Sequence, residues 1–128
     1  MRALLDTHSF LWFIAGSNRL SVNARQLMAD FENELVLSIA SLWEIAIKVS
    51  LGKLDLREPF EELFPRQIQE HEIETLRITF PHLSRLLNLP LHHRDPFDRL
   101  IIAQGIEEGI PIITTDPAFS DYPVTTIW

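Results

Sequence analysis

DPFDRLIIAQGIEEGIPIITTD, residues 95–116, decides the fold class. Asp95 reads as a helix N-cap with Pro96 at the first helical position, where a missing N–H is harmless. The helix so opened runs to about residue 108 and stops at Gly109. Residues 111–114 then read as a short strand, and Asp116 follows it. A helix that feeds a strand in an α/β unit runs antiparallel to that strand. The amino end of the helix, with Asp98 on it, therefore lies beside the strand's carboxyl end and Asp116.

Outward from this unit the same alternation continues. Residues 2–5 read as a strand, 8–14 as a short helix, and Ser17-Asn18 as a turn. Ser21 is an N-cap for a helix over 22–32, followed by a strand at 35–39. Ser41 caps a helix over 42–51 that ends at Gly52. A helix at 59–70 is interrupted in pattern by Pro65. Residues 73–78 alternate like a half-exposed strand, 81–87 form a short helix, and 124–127 are the last strand. Several strands are apolar throughout, which implies burial on both faces, as in a parallel sheet between helices. The expected architecture is one α/β domain over residues 1–128.

Composition is that of a globular chain: 128 residues, 46% hydrophobic and 23% charged. That balance excludes disorder and leaves room for a real core. The absence of cysteine excludes disulfides, thiolate metal sites and a cysteine nucleophile. The apolar start is broken by Asp6 and His8, so it reads as a strand entering a helix instead of a signal peptide. No uncharged run approaches the roughly 18 residues of a membrane span. A cytoplasmic protein with no membrane role is expected. The net charge of −7 counts against tight nucleic-acid binding by charge alone. A local basic patch, His92-His93-Arg94 with Arg99, nevertheless surrounds two aspartates.

Four acids fall at one edge of the expected sheet. Asp6 ends the first strand, Glu44 opens the helix after the second, Asp116 follows the 111–114 strand, and Asp98 lies beside it. Ligands of open α/β sheets bind at that carboxyl edge. Carboxylates that close raise one another's pKa unless a cation joins them. A hard divalent ion with oxygen ligands, magnesium or manganese, is the usual remedy and can assist phosphodiester hydrolysis.

Each acid also has a local explanation. Ser41 to Glu44 matches a capping box, Asp98 at the third helical position suits the helix dipole, and Asp116-Pro117 suits a turn. Lys48 pairs with Glu44 at i,i+4 spacing. His92 and His93 lack the spacing of a helical zinc pair and are expected as loop residues near substrate, not ligands. His8 is a boundary residue or a neighbour of the site; Thr7 and Thr115 bond a ligand or cap turns. Trp12, Phe13, Trp43, Phe60, Leu63 and Phe64 are expected in the core. The apolar residues spread around helix 42–51 hint at a protein interface. Two other functions compete: a non-catalytic interaction module whose acids cap helices, and a phosphoacceptor or phosphatase-like α/β domain. The phosphoacceptor reading lacks paired acids at Asp6 and any lysine after Lys53.

The segments Leu4-Leu5-Asp6-Thr7-His8, Ser41-Leu42-Trp43-Glu44-Ile45, His93-Arg94-Asp95-Pro96-Phe97-Asp98-Arg99 and Thr114-Thr115-Asp116, in that order, resemble PIN-domain ribonucleases. More narrowly they resemble the VapC-type toxins of toxin–antitoxin pairs. The resemblance implies a PIN-like three-layer α/β/α sandwich with a mostly parallel sheet of four to five strands. It implies a magnesium- or manganese-dependent endoribonuclease, an inhibitory antitoxin partner and a homodimer. Its acidic quartet falls on Asp6, Glu44, Asp98 and Asp116, and its polar residue beside the first acid on Thr7. Arg94 and Arg99 are candidates to engage RNA phosphate.

Overall fold

The computed structural model describes all residues, Met1–Trp128. Five parallel strands form one sheet in the order β3-β2-β1-β4-β5. They are β1 Arg2–Leu5, β2 Glu34–Ser38, β3 Glu74–Leu76, β4 Ile112–Ile113 and β5 Thr126–Ile127. The helices are α1 Thr7–Ala15, α2 Val22–Ala29, α3 Ile39–Ser50, α4 Phe60–Glu70, α5 Phe80–Leu87 and α6 Pro96–Glu108, and a 3₁₀ turn covers Pro117–Asp121.

The strands are apolar on both sides because each side has its own core. Ala3 and Leu5, with Leu35, Leu37 and Ile113, pack under Phe10, Met28, Ile45 and Phe64. Leu4, Val36 and Ile112 point the other way, onto Ile101, Ile102, Phe119 and Tyr122. Period-two alternation thus serves two apolar layers, giving the three-layer α/β/α sandwich expected from the sequence. Gly105 lets α6 lie against β4: a Cβ there would stand 2.8 Å from the Ile112 side chain, closer than packed atoms tolerate.

Three boundaries differ from expectation. The second strand ends at Ser38, whose side chain accepts from the Ala40 N–H at 3.0 Å and caps α3. Ser41 is therefore inside the helix, Glu44 lies in its second turn, and the Ser41–Glu44 capping box does not form. Helix α2 stops at Ala29, where the Asn33 amide donates to the Leu27 carbonyl and Asp30 turns the chain. Helix α4 matches the expected span and includes Pro65, with Phe64 buried. Strand β3 is only three residues long, at the edge beyond β2.

One expected core aromatic also behaves otherwise. Phe64 is buried, but Trp43 is 56% exposed, because α3 turns the face with Ala40, Ser41, Glu44 and Ile45 inward. No helix is long and apolar enough to cross a membrane.

Candidate active site

Strand β1 pairs with β2 on one side and β4 on the other. The chain therefore leaves β1's carboxyl end at the point where strand order reverses, the place where open α/β sheets form a crevice. Asp6 occupies it. Its backbone N–H donates to the Ile113 carbonyl, and its side chain caps α1 by accepting from the Ser9 N–H at 2.7 Å. The Thr114 hydroxyl donates to its second oxygen. The same Thr114 oxygen accepts from the Asp116 N–H at 3.0 Å. One side chain thus ties the ends of β1 and β4 together. Asp116 caps the 3₁₀ turn through Ala118 at 2.9 Å.

Glu44 approaches from α3 and is buried. The Thr7 hydroxyl donates to Oε1 at 2.8 Å, and Lys48 Nζ to Oε2 at 2.8 Å. Thr7 also lies 3.0 Å from the Ser41 hydroxyl oxygen, so its surroundings are those of a residue that orients Glu44. Asp98 stands at the third position of α6, with Oδ2 2.8 Å from His93 Nε2. Ligand atoms of His93, Asp98 and Asp116 lie within 4.8 Å of one another. Asp6 and Glu44 belong to no such set; their carboxylates are held by neighbouring hydroxyls instead. Hydrogen bonds link Asp116 to Asp6 through Thr114, and Thr7, next to Asp6, to Glu44, while His93 bonds Asp98 close to Asp116.

Burial pushes the Asp98 carboxyl up to about 6; the charges of Asp95 and Glu44 add to this, and the His93 hydrogen bond opposes it. Burial likewise raises Asp6 above the ordinary carboxylate value, against its hydrogen bonds from Ser9 and Thr114. His93 is raised, first by its hydrogen bond to Asp98 and then by the charges of Asp98, Asp116 and Asp95. Two carboxylates and an imidazole at this spacing fit a divalent cation. An imidazole bonded to a ligating carboxylate is also a common way to orient that ligand.

His93 lies in the loop before α6, as expected, and the structure adds that its ring reaches Asp98 and stands within 4.8 Å of Asp116. The loop before α6 folds back over the helix's first turn because the His92 and His93 N–H groups donate to the buried Tyr122 hydroxyl at 3.0 and 2.9 Å. Arg99 is engaged in the same fastening, donating to the Pro90 carbonyl at 2.9 Å and Tyr122 at 3.2 Å. Its guanidinium shapes the loop instead of facing the crevice. Arg94 is exposed at the rim. Of the two flanking threonine candidates, Thr115 is exposed, and it is Thr114, buried, that bonds the acid. His8 is exposed and rests on Trp12.

The sequence matches the PIN domain family over residues 3–124. This chain is a PIN domain. It is 32% identical over 130 residues to Ribonuclease VapC22 of Mycobacterium tuberculosis, covering 98% of this chain and 97% of that one. Its fold superposes on a chain of VapBC2 from Rickettsia felis, bound to a promoter DNA fragment, with a TM-score of 0.75 at 18% identity, over 100% and 99% of the two chains. A toxin–antitoxin complex from Klebsiella pneumoniae matches with a TM-score of 0.66 at 16% identity, over 98% and 96%. In this PIN domain Asp6 follows β1, Asp116 follows β4, and Glu44 and Asp98 stand on α3 and α6.

Proposed function

We propose that this PIN domain is a magnesium- or manganese-dependent endoribonuclease that cleaves RNA phosphodiester bonds as the cytoplasmic toxin of a toxin–antitoxin pair, residues 1–128 acting as one unit. The observation that carries this reading is the convergence of Asp6, Glu44, Asp98 and Asp116 from four separate elements on one crevice of a PIN fold. Whole-length similarity to a protein named a ribonuclease supports the reaction. Fold similarity to a toxin–antitoxin complex supports the biological pairing.

In this reading Asp6, Glu44, Asp98 and Asp116 hold the cation, and His93 orients Asp98 by donating from Nε2. A bound divalent ion supplies charge stabilisation at the phosphoryl oxygens and a water of lowered pKa. Thr114 and Thr7 fix Asp6 and Glu44 so that little reorganisation accompanies binding. Arg94, exposed beside the cluster, engages RNA phosphate as a charge-assisted donor; Arg99 contributes indirectly, through the loop that carries His93. The antitoxin partner is a protein that covers this chain and blocks access to the crevice. A second copy of the chain is supported by the exposed stripe Phe80, Leu83 and Leu87 on α5, since apolar groups spaced along one helix face mark contact surfaces.

The test is cleavage of single-stranded RNA by purified protein with manganese and with chelator, beside Asp6→Asn and Asp98→Asn. Manganese-dependent cleavage lost in both variants is the expected result. Equal cleavage by wild type and both variants removes the assignment.

A further inference from the structure

Trp43 and Phe97 immediately precede Glu44 and Asp98. Neighbouring residues on a helix point about 100° apart, so α3 and α6 each present an aromatic ring and an acid side by side. The two helices pair them like with like. Glu44 acts on the Asp98 carboxyl through its charge, and the Trp43 and Phe97 rings meet edge to face with centroids 5.0 Å apart. Trp43 still leaves 56% of its surface exposed. A largely exposed indole, packed edge to face on Phe97, thus stands on the same helix as Glu44 and next to it in sequence.

Two facts bear on what covers it. The α5 stripe runs along α6: its Phe80 end meets the far end of α6 through His82 to Glu108, roughly 15 Å along the helix from Phe97, and its Leu87 end leads to the Leu89 and Pro90 carbonyls that Arg99 holds. Trp43 stands on α3, and the ring it meets is Phe97, not Phe80 of that stripe. The chain also carries a net charge of −7, so it gains little of the counterion-release affinity that basic proteins draw from phosphates. Stacking of bases on aromatic rings works with any base and does not depend on protein charge.

We propose that Trp43 is a stacking platform for one base of a single-stranded RNA, seated next to the phosphodiester that the acid crevice receives. Phe97 is its positioning residue. The inference rests on the ribonuclease reading above and deepens it by naming the part of the substrate that is gripped.

The experiment compares wild type, Trp43→Leu and Trp43→Tyr on a short single-stranded oligoribonucleotide and on an abasic ribose-phosphate chain of the same length. KM and kcat are measured in manganese, and sedimentation and manganese-dependent melting are recorded for each protein. Trp43→Leu is expected to raise KM on the order of tenfold or more with kcat little changed, and Trp43→Tyr to recover most of the loss. Wild type is expected to handle the abasic chain as weakly as Trp43→Leu does. The manganese-induced rise in melting temperature persists in Trp43→Leu if the acids are undisturbed. Equal KM in wild type and Trp43→Leu overturns the stacking role while leaving the ribonuclease reading intact. A changed sedimentation coefficient in Trp43→Leu assigns the indole to a protein contact and also overturns it. Wild type that cuts no single-stranded RNA in manganese removes both readings together.

Discussion

The two ends of α6 bury polar groups in opposite ways. At the carboxyl end, His82 is 1% exposed and is closed by its neighbours. Its Nδ1 accepts from the Thr79 N–H at 3.1 Å, and its Nε2 donates to Glu108 at 3.1 Å. Gln104 donates to the Arg77 carbonyl at 3.3 Å, and only Gln104 Oε1 is left without a partner. At the amino end, hydrogen bonds satisfy individual oxygens but do not balance charge. Lys48 and His93 are the basic groups bonded to an acid cluster of Asp6, Glu44, Asp98 and Asp116. Burial then raises Asp98 and Asp6, because removing a carboxylate from water disfavours its ionised form. A structural cluster completes itself; this one calls for positive charge from outside.

The largest expected effect comes from removing charge at the acid end. Asp98→Asn should abolish manganese-dependent RNA cleavage, measured on purified protein, while raising the melting temperature of the metal-free chain. A structural cap would do the reverse, losing stability with activity unaltered.

Truncation at the other end should separate the two regions. His82→Ala opens a buried space and strands the Thr79 N–H and the Gln104 amide, a loss of about 3 kcal/mol. Denaturant unfolding would measure it. The stabilisation conferred by manganese should stay the same as in wild type, because His82 bonds none of the four acids.

A third test uses protons in place of mutations. Asp98 titrates near 6 in the folded chain, above its ordinary value near 4, and Asp6 is raised as well. Folded protein therefore binds more protons than unfolded protein between about pH 4 and 6. The stability slope is negative in that window, so the metal-free chain should lose about 2 to 3 kcal/mol from Asp98 as pH rises through it. Manganese should offset the loss above pH 6 and do little near pH 4, as read from melting curves at each pH.

The smallest effect is expected at Thr7. Thr7→Val removes the hydroxyl that holds Glu44 and should cost about 1 kcal/mol, with a fall in cleavage rate. Thr115→Val, at an exposed position, should change neither. Chemical denaturation and initial rates on the two variants check the contrast.

Much of this arrangement is legible in the chain because it follows local rules. Asp95, Pro96 and Gly109 bound α6 by capping chemistry alone, and apolar strands announce a sheet covered on both faces. The placement of Asp6, Asp98 and Asp116 then follows from the geometry of parallel α/β units. What escaped was set by tertiary contacts. Ser38 and Ser41 are both good caps, and the choice fell to Ser38 because β2 ends there and Ser41 is packed against Thr7. His93 precedes its helix, and only the Tyr122 hydroxyl, some thirty residues on, folds it back over Asp98. Arg99 looked like a phosphate ligand from its neighbours in sequence, yet the carbonyls of Leu89 and Pro90 claim its guanidinium. The one available hint for His93 was its position two residues before an N-cap, where the chain must turn across the first helical turn.

Isothermal titration of manganese into the purified protein, repeated with Asp98→Asn and His82→Ala, bears most directly on the acid end of α6. Saturable binding to wild type and to His82→Ala, with none to Asp98→Asn, is the expected result. Absence of binding to wild type, or equal binding to Asp98→Asn, would contradict a cation centre built from these carboxylates.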